Sequence, residues 1–166
     1  MKIQSLEEVL LDMNLVDDSS LEKARLAQRE KAVSLNEALL SAGILSDYDL
    51  IQALSKQWNI SVMNMIGEIE VDPSIIDKLP ITFLRKYVMV PVKFHGDAMV
   101  VAVNDPTNQE PLFDISKIMD LRDIRRVLAP KQEILAAINR LVAMKEENAK
   151  DIMEDMEEED DEILKD

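Results

Sequence analysis

Cysteine is absent from this chain, and so are disulfide frameworks and thiolate metal sites. A single histidine, His95, argues against a histidine-based metal site or a catalytic triad. The three glycines, Gly43, Gly67 and Gly96, stand alone. A phosphate-cradling loop needs a glycine-rich turn ending in Gly-Lys-Ser or Gly-Lys-Thr, so the chain cannot hydrolyse ATP by itself and no enzyme activity is expected of it. No apolar run approaches the roughly 20 residues that span a bilayer, and the opening MKIQSLEEVL is acidic and polar where a signal peptide is basic and then apolar. A cytoplasmic location without direct membrane insertion is therefore expected. Positive charge is also scarce: the net charge is −14, and the only basic clusters are Arg85-Lys86 and Arg122 with Arg125-Arg126. Phosphate backbones repel such a chain, so nucleic acid is not an expected partner.

A hydrophobic content of 47% over 166 residues suffices for one ordinary core or two small ones. The acidity is concentrated in one place. Met144 to Asp166 carries 12 acids and 3 bases, a net −9, which leaves −5 for residues 1–143.

The first third repeats itself. At an offset of 29, Ser5–Gln28 aligns with Ser34–Gln57 with nine identities: Ser5/Ser34, Leu6/Leu35, Glu8/Glu37, Leu10/Leu39, Leu11/Leu40, Asp18/Asp47, Leu21/Leu50, Ala24/Ala53 and Gln28/Gln57. Chance gives about one or two over that length. Leu6, Val9, Leu10 and Met13 lie at helical spacing, as do Leu35, Ala38, Leu39 and Ala42. Asn14 and Gly43 follow the first helix of each copy, where a left-handed residue ends it. Asp17 or Asp18, and Ser46 or Asp47, stand ready to cap the second. Two copies are too few for a solenoid, so one pseudo-symmetric four-helix bundle is expected.

Beyond Gln57 the texture changes. Ile60 to Met65 reads as a strand, and Val88 to Val103 reads as a hairpin turning at His95-Gly96-Asp97. Pro73–Leu79 and Ile81–Tyr87 read as short helices divided by Pro80. Asp105-Pro106 reads as the start of a helix running to about Met119, with Ile124–Leu128 as a last strand. Pro130 opens a helix whose apolar stripe is Ile134, Leu135, Ile138, Leu141 and Val142. From Met144 the stripe gives way to MEDMEEEDDEILKD, a composition too charged to fold alone and read as a linker or tail; Ile152, Met153, Met156, Ile163 and Leu164 are its candidate docking residues. The expected fold class is α+β: a helical tandem-repeat subdomain over 1–58, a small α/β sandwich with a mainly antiparallel sheet over 59–143, and a disordered acidic tail over 144–166.

The tandem motif, followed by VDPSIIDKLPITFLRKYVMVPV and then MVVAVNDPTN, resembles the N-terminal region of type II secretion and type IV pilus assembly ATPases over Leu6 to Val142. In that family the tandem part is often called the MshEN domain, and its two motifs can each grip one half of cyclic di-GMP. The resemblance implies ligand-contact positions at Leu10, Leu11, Gln28, Leu39, Leu40 and Gln57. It also implies two partners: the ATPase core of the parent protein and the cytoplasmic domain of an inner-membrane assembly protein. The family's motifs usually open with Arg-Leu-Gly, whereas here the openings are Ser5-Leu6-Glu7 and Ser34-Leu35-Asn36. Serine offers neither a stacking cation nor a forked donor, and Glu7 adds negative charge where a dianion would sit. No cofactor is expected, and cyclic di-GMP is the small molecule to test.

Simpler readings cover the rest. Leucines in helical stripes belong to a core. Asp17, Asp18, Asp47 and Asp49 fall where caps belong, without a second set of metal ligands. His95 is an exposed turn residue, and Trp58 closes the repeat at the joint between the two subdomains. The leading expectation is a non-catalytic docking module; its rivals are a cyclic dinucleotide sensor and a scaffold serving another assembly.

Overall fold

The computed structural model describes residues 4–64 and 68–164. Met65, the last residue of the expected first strand, and Gly67 lie outside the described residues, as do the side chains of Ile163 and Leu164.

Four helices open the chain: α1 (Leu6–Asp12), α2 (Asp18–Lys31), α3 (Leu35–Ser41) and α4 (Asp47–Trp58). Each begins where a short polar side chain takes a free backbone N–H. Ser5 accepts from Glu8 N at 3.2 Å, Asp17 from Ser20 N at 2.7 Å, Ser34 from Glu37 N at 3.1 Å and Ser46 from Asp49 N at 3.1 Å. The first helix of each copy ends identically. Asn14 (φ 57°) and Gly43 (φ 70°) turn the chain left-handed, and Leu15 N and Ile44 N reach back to Leu10 O and Leu39 O. α1 packs on α4 and α2 on α3, so the copies interlock about a pseudo-twofold around Val9, Leu10, Leu21, Ala38, Leu39 and Leu50.

Among the described residues, the strand expected over Ile60–Met65 forms a single parallel bridge, Val62 to Leu128. The two short helices expected next both form, the first as a shorter 3-10 turn (Pro73–Asp77) and the second as helix α5 (Ile81–Tyr87). The hairpin forms as expected from β1 (Met89–His95) and β2 (Ala98–Val103), joined through the turn at Gly96. β1 bulges between Pro91 and Lys93, and the bulge aims the Val92 carbonyl outward to accept both Glu70 N and Val71 N.

Two expectations fail here for physical reasons. The helix expected from Asp105-Pro106 starts later, as α6 (Glu110–Ile118), because the Asp105 carboxylate is taken by Thr107; Pro111 sits in its first turn, where no N–H is missed. The sheet is mixed rather than mainly antiparallel. Helix α6 carries the chain back across the sheet, so β3 (Asp123–Leu128) pairs parallel to β2, in the order β1-β2-β3. Covered on both faces, β2 is buried at every position, which explains its unbroken apolar run.

The acidic segment is not a disordered tail. α7 runs without interruption from Lys131 to Leu164, 34 residues and about 50 Å. Composition alone suggested solvation, but the segment has no glycine or proline and is rich in Glu, Lys and Met, all strong helix formers. It extends a helix already anchored by Ile134, Ala137, Ile138 and Leu141, so no new nucleus has to form. An ion pair from Lys145 to Asp77 fastens it to the 3-10 turn.

Candidate functional site

The positions singled out in the tandem repeat divide by depth. Leu10 and Leu39 are 0% exposed and belong to the core. Leu11, Leu40, Gln28 and Gln57 are half-buried at the rim of the helical bundle. Gln57 has a structural partner: its Nε2 donates to the Gln4 carbonyl at 3.1 Å, tying the end of α4 to the chain just ahead of α1. The end of the second copy is thus bonded to the start of the first.

The two motif openings are helix caps. Ser5 and Ser34 each close the first turn of their helix, and each is followed three residues later by a glutamate, Glu8 and Glu37. That Ser-x-x-Glu spacing is itself a sequence signal for a cap. Glu7, the acid expected to repel an anion, is paired with Arg25 of α2, whose guanidinium is held above its ordinary pKa by the hydrogen bond and charge of Glu7. A cation does therefore stand beside the first opening, supplied by the second helix. The equivalent positions of the second copy are Asn36 and Leu54, so this arrangement is not repeated. At Gly43 an added Cβ would meet nothing within 4 Å; the turn needs its left-handed backbone there, not close approach by a neighbour.

In the second half, the motifs that carried the family resemblance build the fold. Asp72-Pro73-Ser74 and Asp105-Pro106-Thr107 form the same device twice. Each aspartate side chain accepts from the backbone N–H two residues on, at 2.9 Å. The hydrogen bond from Ser74 N lowers the pKa of Asp72, and that from Ser20 N does the same for Asp17 at the cap of α2. Asn104 is a junction: its side chain donates to Ala129 O at 3.2 Å and its backbone to Val88 O at 3.3 Å, clamping the ends of β2 and β3 to the end of α5. Arg126 donates to Pro106 O at 2.8 Å, locking the same corner from β3. The remaining singled-out residues fall simply into place. His95 is exposed at the end of β1, and Trp58 packs half-buried against the core with its buried Nε1 lacking a partner among the described residues. No helix among the described residues is long and apolar enough to cross a membrane.

Comparison with known proteins returns the same architecture. The MshEN domain family model matches residues 65–148, the stretch holding the 3-10 turn, the sheet and the first half of α7. The type IV pilus assembly ATPase PilB of Myxococcus xanthus is 31% identical over 151 residues, which is 91% of this chain and 26% of that protein. A structure of MshE with cdg (cyclic di-GMP) superimposes with a TM-score of 0.70 at 23% identity, over 83% of this chain and 99% of that one. The N-terminal domain of XpsE superimposes with a TM-score of 0.65 at 21% identity, over 84% and 98%. The chain thus spans about a quarter of the curated pilus ATPase and nearly the whole of two solved N-terminal folds.

Proposed function

As the chain belongs to the MshEN domain family, we propose that it is the non-catalytic docking and regulatory module of a secretion or pilus assembly ATPase, working in the cytoplasm. It binds the cytoplasmic domain of an inner-membrane assembly protein and thereby positions the ATPase core of its parent. The observation that carries this reading is one of extent. The chain aligns along 91% of its own length with a pilus assembly ATPase of which it covers 26%, and it fills a fold that elsewhere stands as an N-terminal domain. Function of this kind is position, not turnover. The test is co-purification of the 166-residue chain with the cytoplasmic domain of the inner-membrane anchor from the same secretion or pilus system. A stoichiometric complex is expected, and no complex at micromolar concentrations overturns the reading.

A second reading, a cyclic di-GMP sensor, is favoured by the likeness to MshE with cdg and by the Arg25 guanidinium at the first motif opening. On this reading Leu11, Leu40, Gln28 and Gln57 form the reachable rim of the site, with Leu10 and Leu39 behind them. Against it, Ser5 and Ser34 are occupied as caps and bring no cation. Titration with cyclic di-GMP by calorimetry separates the two readings: micromolar binding makes the module a second-messenger sensor, and no heat leaves docking alone.

A further inference from the structure

The face of α7 that packs inward does not stop where the body of the molecule does. Ile134, Ile138 and Leu141 on that face are 0% exposed. Continued in steps of three and four, the same face passes Lys145, Asn148 and Ala149 and then carries Ile152 and Met156. Lys145 fastens it to the 3-10 turn through its ion pair with Asp77. Further out, Ile152 and Met156 are 59% and 62% exposed, with Met153 beside them at 68%. A stripe that is core at one end of the helix is therefore open to solvent at the other.

The open stretch has a second bank. Asp72 and Ser74, at the start of the 3-10 turn, face Lys145, Asn148, Ala149 and Ile152 across an open notch. From Lys145 to Met156 the stripe is about 16 Å long, or about three helical turns. Charge around it is mostly of one sign. At 100° per residue, Asp151, Asp155 and Glu159 lie along one side of the stripe, and Glu146 and Glu157 along the other. Residues 145–159 hold eight acids and two bases, a net −6, and the turn opposite sets Asp72 and Asp77 against Lys78, which makes −7.

We propose that this face takes a cationic amphipathic helix of a partner protein, laid along α7 in the notch. Its apolar side chains cover Ala149, Ile152 and Met156, continuing outward the packing that the body gives Ile134, Ile138 and Leu141. Its lysines or arginines flank that contact and meet Asp151 and Asp155 on one side, Glu146 and Glu157 on the other. Side chains in steps of three and four form ridges that receive another helix, whereas the two-residue alternation of a strand does not match them. The α7 of a second copy brings the same −6 and is repelled, as is an anionic lipid surface. The assignment concerns the chemistry of this face and holds whether or not the inner-membrane anchor presents the helix.

The probe is a labelled helical peptide of about 18 residues, five turns, with leucine on one face and lysine on the other. Titrated with the intact 166-residue chain at about 0.15 M salt, its fluorescence anisotropy is expected to report a Kd of about 10 μM or tighter. A peptide of the same composition, shuffled so that no apolar face forms, is expected to bind at least about tenfold more weakly. Ile152→Ser with Met156→Ser, both at exposed positions, is expected to weaken binding by about the same factor, while Leu26→Ser, exposed on α2, leaves it unchanged. In methyl spectra of the parent chain, Met153 and Met156 should shift as the peptide is added, a readout that needs no variant. No binding, equal binding of the shuffled peptide, or methyl shifts elsewhere with Met153 and Met156 unmoved each overturns the proposal. Self-association of the parent chain that the serine pair abolishes would give the face to a second copy and overturn it as well.

Discussion

The helical half and the α/β half use their signature residues in opposite ways. In the α/β half the signatures are tied into the backbone: Asp72 and Asp105 hold turns, Asn104 clamps three elements, and Arg126 locks a corner. In the helical half they are graded by depth, with Leu10 and Leu39 sealed in the core and Leu11, Leu40, Gln28 and Gln57 at the rim. The residues that make the α/β half recognisable are thus those that make it fold. Variation in what the module binds has to be sought on the helical half and on exposed surfaces, where side chains can change without undoing a turn or a clamp.

The contrast would break most visibly if the halves were stable separately. Leu39 and Leu84 are fully buried, one in each half, within one contiguous core cluster. Leu39→Ala and Leu84→Ala are each expected to cost about 2–5 kcal/mol. In urea, Trp58 fluorescence and far-ultraviolet circular dichroism should shift together for both variants; a change confined to part of the dichroism signal would show two independent units.

A smaller effect sharpens the contrast. Ser5→Arg with Ser34→Arg restores the arginines of the family's motif openings but removes two caps, and is expected to cost about 1 kcal/mol per cap in thermal unfolding. If the helical half is where ligand chemistry varies, the same variant gains measurable cyclic di-GMP binding by calorimetry. Lost stability with no gain in binding would mean that the serines belong to the fold alone.

The smallest effect concerns acid. Asp17 in the helical half and Asp72 in the α/β half both have lowered pKa values, each through a backbone hydrogen bond to its carboxylate. A carboxylate with a depressed folded-state pKa contributes stability that is complete above the unfolded value, about 3.9 for Asp, and is lost as pH falls below that through the folded value. Both side chains are fully solvent-exposed, so the contributions are modest. Melting temperatures measured from pH 5 to pH 3 should fall less steeply for Asp17→Ala and Asp72→Ala than for the parent, and by similar amounts. A difference between the two variants would mean that the capped turns are not equivalent.

Much of this fold is legible in the sequence, and the parts that are not have identifiable causes. The repeat makes the four helices and their left-handed turns readable, because a residue such as Gly43 gains meaning when Asn14 stands at the same place 29 residues earlier. The hairpin is equally plain from its apolar run and glycine turn. The parallel pairing of β3 is hidden because strand direction depends on the crossover through α6, not on anything within the strand. The length of α7 is hidden because its charge argues for solvation while its helix propensity argues for order, and the anchored first half lets propensity win. Ser5 and Ser34 draw attention to the arginines they replace, although their spacing to Glu8 and Glu37 already describes a cap. The late start of α6 is hidden for a different reason: an Asp-Pro pair can open a helix at once, as at Asp72-Pro73, or hold a turn ahead of one, as at Asp105-Pro106.

About 28 Å of α7 projects past the ion pair at Lys145, at 1.5 Å per residue. A rod of that reach converts a tilt into a displacement: turning it by about 10° at its base sweeps its tip through roughly 5 Å at that rise. A slack linker would absorb any rearrangement in the body of the module, whereas a continuous helix of this length would carry it, enlarged, to its far end.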